Sequence, residues 1–127
     1  MRKTGRCFCG EVKFEFEAET EKFMGHCHCE SCRRSVASPF ASVLGIPNGK
    51  WQWTGITPKT YNSSPNVTRS FCQNCGTPMA YQSTRLPEEI HFYAANLDDQ
   101  SSFKPEANYN SKEMVFWVKQ FEDLPNE

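Results

Sequence analysis

The chain has 127 residues, seven of them cysteine, and a formal net charge of −1 from 14 Lys and Arg against 15 Asp and Glu. That length suits one domain with a modest apolar core. The balanced charge, with no run of Lys or Arg, argues against a nucleic-acid or anionic-membrane partner, and no stretch approaches the roughly 20 apolar residues of a membrane helix.

Met1-Arg2-Lys3-Thr4-Gly5 runs into Cys7 without the apolar segment of an export signal, so a soluble, cytoplasmic protein is expected. The sequons Asn62-Ser63-Ser64 and Asn66-Val67-Thr68 carry no weight without such a signal. Val12, Phe14, Phe16 and Ala18 alternate with Lys13, Glu15, Glu17 and Glu19, the period of a strand with one buried face and one wet face. Residues 30–36 suit a short helix, and strand patterns recur at 40–44, 51–53, 68–71, 79–82 and 90–94. Pro47-Asn48-Gly49, Thr54-Gly55, Ser64-Pro65-Asn66 and Leu86-Pro87 supply turns among them. Near the end, Met114, Trp117, Val118 and Phe121 fall at helical spacing within 113–121, and that face is expected to close the core. Residues 125–127 read as a frayed tail. No repeat or linker divides the chain, so one mainly β domain of short antiparallel sheets with little helix is expected.

The cysteines form three clusters: Cys7-Phe8-Cys9-Gly10, Cys27-His28-Cys29-Glu30-Ser31-Cys32 and Cys72-Gln73-Asn74-Cys75-Gly76. In a reducing compartment clustered cysteines bind metal more often than they form disulfides, and an odd number cannot all pair. Zinc takes tetrahedral thiolate sites. The first and third clusters each offer two cysteines before a glycine, whose freedom to adopt positive φ lets backbone N–H groups turn towards sulfur. Together Cys7, Cys9, Cys72 and Cys75 make a closed, structural zinc site. Cys27, Cys29 and Cys32 remain, three ligands with a fourth position open, the arrangement of a catalytic zinc.

Zinc with three thiolates has a formal charge of −1 and suits a soft fourth ligand such as a substrate thiolate. A thiol bound there is deprotonated near neutral pH and held for attack on, or release from, carbon. Arg33 and Arg34 follow directly, to offset the site's charge, to clamp a substrate carboxylate, or simply to face solvent. His28 lies between two ligands and, by strand alternation, is favoured as a non-ligand. His28, Glu30 and Tyr61 are the acid–base candidates, whereas His26 and His91 are expected to be packed or exposed.

Three other readings compete. His28-Cys29-Glu30 followed by Cys72-x-x-Cys75 echoes zinc nucleobase deaminases, but Phe71 stands where proline belongs and four cysteines go unused. Cys-x-x-Cys redox chemistry needs a βαβ context that is absent. A non-catalytic zinc module binding another protein is the main alternative, with the aromatic residues as a contact surface, although most of these alternate with polar residues and suit a core.

Taken in order, Gly5-x-Cys7-x-Cys9-Gly10, Cys27-His28-Cys29-x-x-Cys32-Arg33, Tyr61-x-Ser63-Ser64, Arg69-x-Phe71-Cys72-x-x-Cys75-Gly76, Leu97-Asp98 and Trp117 form a specific signature. On these motifs the chain, over residues 4–125, resembles the glutathione-dependent formaldehyde-activating enzyme family, which includes centromere protein V. The resemblance implies a zinc-braced β-tent fold and two zinc ions, with the same division into a structural and a catalytic site. It implies carbon–sulfur lyase chemistry on a small thiol such as glutathione; the founding activity joins formaldehyde to glutathione to give S-hydroxymethylglutathione. Loss of the second zinc on glutathione binding has been suggested in the family, which implies a labile metal. Resemblance and charge together single out Arg33, Ser63, Ser64 and Arg69 as substrate contacts. Two stretches depart from the family pattern: Ser35-Val36-Ala37-Ser38 replaces a glycine-containing run, and Ala94-Ala95-Asn96 lacks the glycine that commonly precedes Leu97-Asp98.

Overall fold

Strands β1 (Arg2–Arg6) and β2 (Lys13–Glu17) pair antiparallel. The alternation in β2 places Phe14 and Phe16 inside, both fully buried. After β3 (Phe23–Cys27) comes the only α-helix, α1 (Glu30–Val36), then β4 (Ala41–Pro47), β5 (Trp51–Trp53), β6 (Lys59–Ser64), β7 (Val67–Phe71), β8 (Pro78–Ser83), β9 (Glu89–Tyr93) and β10 (Ala107–Tyr109). These assignments come from a computed structural model that describes residues 1–127. A three-stranded sheet runs β1-β2-β5, and a seven-stranded sheet runs β10-β3-β4-β9-β8-β7-β6.

Side chains alternate across a sheet, so pairing register decides which residues share a face. Met24, Leu44, Phe92 and Ala80 lie in one row across β3, β4, β9 and β8. With Ile46 and Ile90 they pack against Val12 and against Phe14 and Phe16 of the small sheet, Val12 lying just before β2. The Phe14 and Phe92 rings stack at 4.2 Å between centroids and 6° between planes. Burying a side chain of this size is worth roughly 1.5–3 kcal/mol, so this sandwich is the main core. The neighbouring row, Phe23, Gly45, His91, Tyr81 and Arg69, points to the opposite face. There α1 covers one end through a smaller cluster of Cys32, Ala41, Val43 and Tyr93.

The strands expected from alternation form with ends displaced by a few residues at most, and α1 coincides with residues 30–36. β1, β3, β6 and β10 have no readable alternation. β6 is exposed throughout, and β1 buries only Gly5, against which the Phe14 ring lies so closely that a Cβ would overlap it. β10 pairs parallel with β3, the one departure from antiparallel pairing.

The expected C-terminal packing helix is corrected. Ser111–Glu113 and Phe116–Asp123 are 3-10 turns, and Phe116, Trp117 and Phe121 are exposed. Three residues per turn spread the apolar positions around the axis, and the small sheet already covers the core face. No helix is long and apolar enough to cross a membrane.

Candidate functional site

The first cysteine cluster sits where two hairpin connections meet. Cys7 and Cys9 occupy the turn between β1 and β2; Cys72 and Cys75 occupy the turn between β7 and β8. Gly10 and Gly76 adopt φ of 86° and 81°. These turns aim amides at sulfur: Val12 donates to Cys7 Sγ at 3.3 Å and Cys75 to Cys72 Sγ at 3.4 Å. Cys7 Sγ lies 3.6 Å from Cys9 Sγ, which lies 3.8 Å from Cys72 Sγ. A disulfide needs about 2.05 Å, whereas tetrahedral zinc with bonds of about 2.3 Å spaces its sulfurs by about 3.8 Å. The four-sulfur set therefore fits zinc. The Thr77 hydroxyl, with smaller contributions from backbone amides and Cys72, holds the Cys75 thiol at about 5, ready to ligate as thiolate.

Cys27 ends β3, Cys29 is the N-cap of α1 and Cys32 lies in its first turn. Cys29 Sγ accepts the Cys32 amide at 3.3 Å, doing for this helix what a serine oxygen does elsewhere. Cys27 and Cys29 sulfurs are 3.5 Å apart, again metal-ligand spacing. Cys27 is held at about 5, chiefly by the neighbouring Cys32 thiol and further by the Cys29 and Asn110 donors, while Cys32 is pushed up. Asn110, in the left-handed region at φ 55°, directs its amide at Cys27 Sγ at 3.4 Å. No fourth Cys, His, Asp or Glu joins these three. His28 turns away, buried, with Nε2 bonded to Asn108 Oδ1 at 2.9 Å.

The three cysteines line a cavity of about 650 Å³ on the second face of the large sheet. Its walls are largely apolar or aromatic, including Phe23, Val67, Tyr81 and Tyr109, the general character of small-molecule sites. Arg69 enters from β7 and is only 3% exposed. Its guanidinium donates to Ser63 Oγ at 2.9 Å, Tyr93 Oη at 2.9 Å and Ser31 Oγ at 3.1 Å, and lies over the Tyr81 ring. No carboxylate is within ion-pair distance of it. On β9, Glu89 accepts from Lys22 at 2.7 Å and bonds His91 Nε2 at 2.6 Å. Burial pushes the His91 imidazole below its ordinary value, more than Glu89 restores.

The residues singled out by sequence are distributed unevenly. Cys27, Cys29, Cys32, Ser64 and Arg69 line the cavity. Ser63 reaches it through Arg69, whose Nε it accepts. Arg33 is not among the lining residues: its Nε donates to the His28 carbonyl, and it borders a separate groove with Trp117. Glu30 pairs with Arg34 on the outer side of α1, and Tyr61 borders a neighbouring groove. Ala94, Ala95 and Asn96 do not line the cavity, and Leu97-Asp98 is architectural, with Leu97 in the core and Asp98 accepting from Thr4 Oγ1 at 2.6 Å. Among the lining residues that sequence reasoning did not assign to the site are Glu89 and His91. Their signal was available: two titratable residues two apart on a strand share one face.

Comparison with known proteins identifies a family, a curated relative and a fold neighbour. A family model described as glutathione-dependent formaldehyde-activating enzyme matches residues 2–117. An uncharacterized lyase of Schizosaccharomyces pombe is 33% identical over 89 residues, which cover 68% of this chain and 64% of that protein. The chain thus matches less than two thirds of that curated relative's length. The crystal structure of a Rhodobacter sphaeroides protein shares the fold, with a TM-score of 0.67 and 23% identity over 84% of this chain and 99% of the other.

Proposed function

The chain belongs to the glutathione-dependent formaldehyde-activating enzyme family, and on that premise we propose a zinc-dependent carbon–sulfur lyase-like enzyme that acts on a small-thiol adduct such as S-hydroxymethylglutathione. The observation that carries this reading is three convergent thiols without a fourth protein donor, lining a cavity that also holds a buried guanidinium without a carboxylate. Cys27, Cys29 and Cys32 would hold a catalytic zinc, and Cys7, Cys9, Cys72 and Cys75 a structural one. A zinc held by these three thiolates would supply a soft Lewis acid that keeps a substrate thiol ionised near neutral pH.

The remaining work falls to the chain. Arg69 offers a fixed positive charge to the substrate's carboxylate, while Ser63, Ser31 and Tyr93 hold its fork in place. Ser64 adds a hydroxyl at the wall, and Phe23, Val67, Tyr81 and Tyr109 limit water around the reacting carbon. The catalytic unit is residues 4–125. Seven free thiols suit a reducing cytoplasm.

Zinc per chain, measured by elemental analysis before and after glutathione titration, tests the proposal. Two zincs, one perturbed or released by the thiol, are expected, together with formaldehyde release from the hydroxymethyl adduct. Two zincs indifferent to thiol, without turnover, would favour a protein-binding zinc module. The exposed Phe116, Trp117 and Phe121 are the surface such a module would use.

A further inference from the structure

The Lys22–Glu89–His91 chain enters neither metal cluster nor core, although it reaches a wall of the cysteine cavity. Glu89 is only 8% exposed and remains ionised, because the bonds from Lys22 and His91 outweigh the effect of burial. An ionised carboxylate can only accept, so His91 Nε2 must carry the hydrogen of their 2.6 Å bond. In the neutral ring this leaves Nδ1 with a free lone pair. Nδ1 has no protein partner, yet the one buried side-chain nitrogen or oxygen lacking a partner is Nδ1 of His28. Nδ1 of His91 is therefore accessible, and His91 lines the cavity.

The ring is also held in place. Phe23 meets it edge-on at 4.8 Å and Tyr81 stacks on it at 5.2 Å. Gly45 makes room for Phe23, since a Cβ there would overlap its ring. Tyr81 in turn carries Arg69 at 5.1 Å. Cys27 and His91 line the same cavity.

We propose that His91, oriented by Glu89, is the general acid–base of the site and moves the proton of the substrate's carbon-bound hydroxyl. This rests on the carbon–sulfur lyase reading above. In the cleavage direction His91 Nδ1 accepts the hydroxyl proton of RS–CH₂–OH. The O–H electron pair becomes the second bond of formaldehyde, and the C–S pair leaves on sulfur. In the reverse direction sulfur adds to the carbonyl carbon and His91 returns the proton to oxygen. No electrons are gained or lost overall. Lys22 and Glu89 are positioning residues.

The test uses the zinc-loaded protein with the hydroxymethyl adduct of glutathione. His91→Gln is expected to bind glutathione within about twofold of the parent but to lose turnover on the order of 10²–10⁴-fold, the range of general acid–base catalysis. Added imidazole is expected to restore part of the rate in His91→Gly. Imidazole ¹⁵N spectra of the parent should show the Nε2–H tautomer, a readout independent of turnover. Parent-like turnover in His91→Gln, or an Nδ1–H tautomer, would overturn the assignment while leaving the lyase reading intact. A parent that neither binds the thiol nor releases formaldehyde would overturn both.

Discussion

Arg69 is a cation taken out of water and satisfied only by hydroxyls and a ring face. Its charge is uncompensated by any carboxylate, which is costly unless an anion arrives. A thiol with a carboxylate supplies one. Arg69→Met should weaken binding of 3-mercaptopropionate to the zinc-loaded protein by about 10-fold or more, since a hydrogen bond to a charged group is worth roughly 1.5–3 kcal/mol. Binding of neutral 2-mercaptoethanol should stay nearly unchanged. Equal loss for both thiols in calorimetric titration would remove Arg69 from carboxylate recognition. His91 and Glu89 also couple stability to pH. Burial lowers His91, whereas burial alone would raise Glu89 and its bonds to Lys22 and His91 bring it low. Both bind fewer protons folded than unfolded, so each adds stability as pH rises. The His91 contribution is full above about pH 6.5 and is lost as pH falls through its lower folded value. Urea unfolding of parent and His91→Gln between pH 7.5 and 5.5 should show a shallower decline for the variant. Comparing the two at each pH cancels acid release of metal, and parallel declines would refute the linkage.

Among the elements, α1 is the least conventional. A sulfur caps its N-terminus, and its C-cap is Ala37 at φ 53°, ψ 46°. The left-handed region costs a non-glycine residue roughly 1–2 kcal/mol, and helices commonly end on glycine there. Glycine gives back about 0.4–1 kcal/mol through its freer unfolded chain. Ala37→Gly should therefore stabilise the protein by about 0.5–1 kcal/mol in denaturant unfolding; a loss of stability would mean the Ala37 methyl makes a compensating contact. β4 carries the opposite case. Gly45→Ala forces the Phe23 ring off the sheet, and overpacking of this kind costs about 1–3 kcal/mol. It should also disturb His91, which Phe23 contacts edge-on. An unshifted His91 imidazole signal in that variant would show that Phe23 does not hold the ring.

For the molecule as a whole, the two cysteine clusters have different places in the fold. Cys7 and Cys72 are 1% exposed members of the main core, and their turns join the small sheet to the large one across a separation of 63 residues between Cys9 and Cys72. Cys27, Cys29 and Cys32 join neighbours along the chain at the edge of the smaller cluster. Metal bound only by the folded state contributes its binding free energy to folding. Cys72→Ser should therefore cost the cooperative thermal transition. Cys29→Ser should keep that transition and lose only the response to thiol. Similar losses of melting temperature in both variants would make the second cluster structural too.

Much of this was legible in the residues themselves. Cysteine spacing and the two glycines divided the sulfurs four and three, because a knuckle is local geometry. Alternation placed Phe14 and Phe16 inside, because a strand that feeds one core repeats every two residues. The exposed edge β6, the parallel pairing of β10 and the loss of the C-terminal helix were not legible, since each depends on which surface is left uncovered by the rest of the chain. Arg33 and Arg69 looked equally suited to a substrate in sequence. Only strand register carried Arg69 into the cavity while the turn of α1 carried Arg33 away from it. Residues distant in sequence, Lys22, Glu89 and His91 among them, became one chain of hydrogen bonds because β9 lies beside β4 and β4 beside β3. The sequence by itself determined which atoms suit a metal; tertiary structure alone decided which charges face it, because long-range pairing sets the face to which each strand residue points.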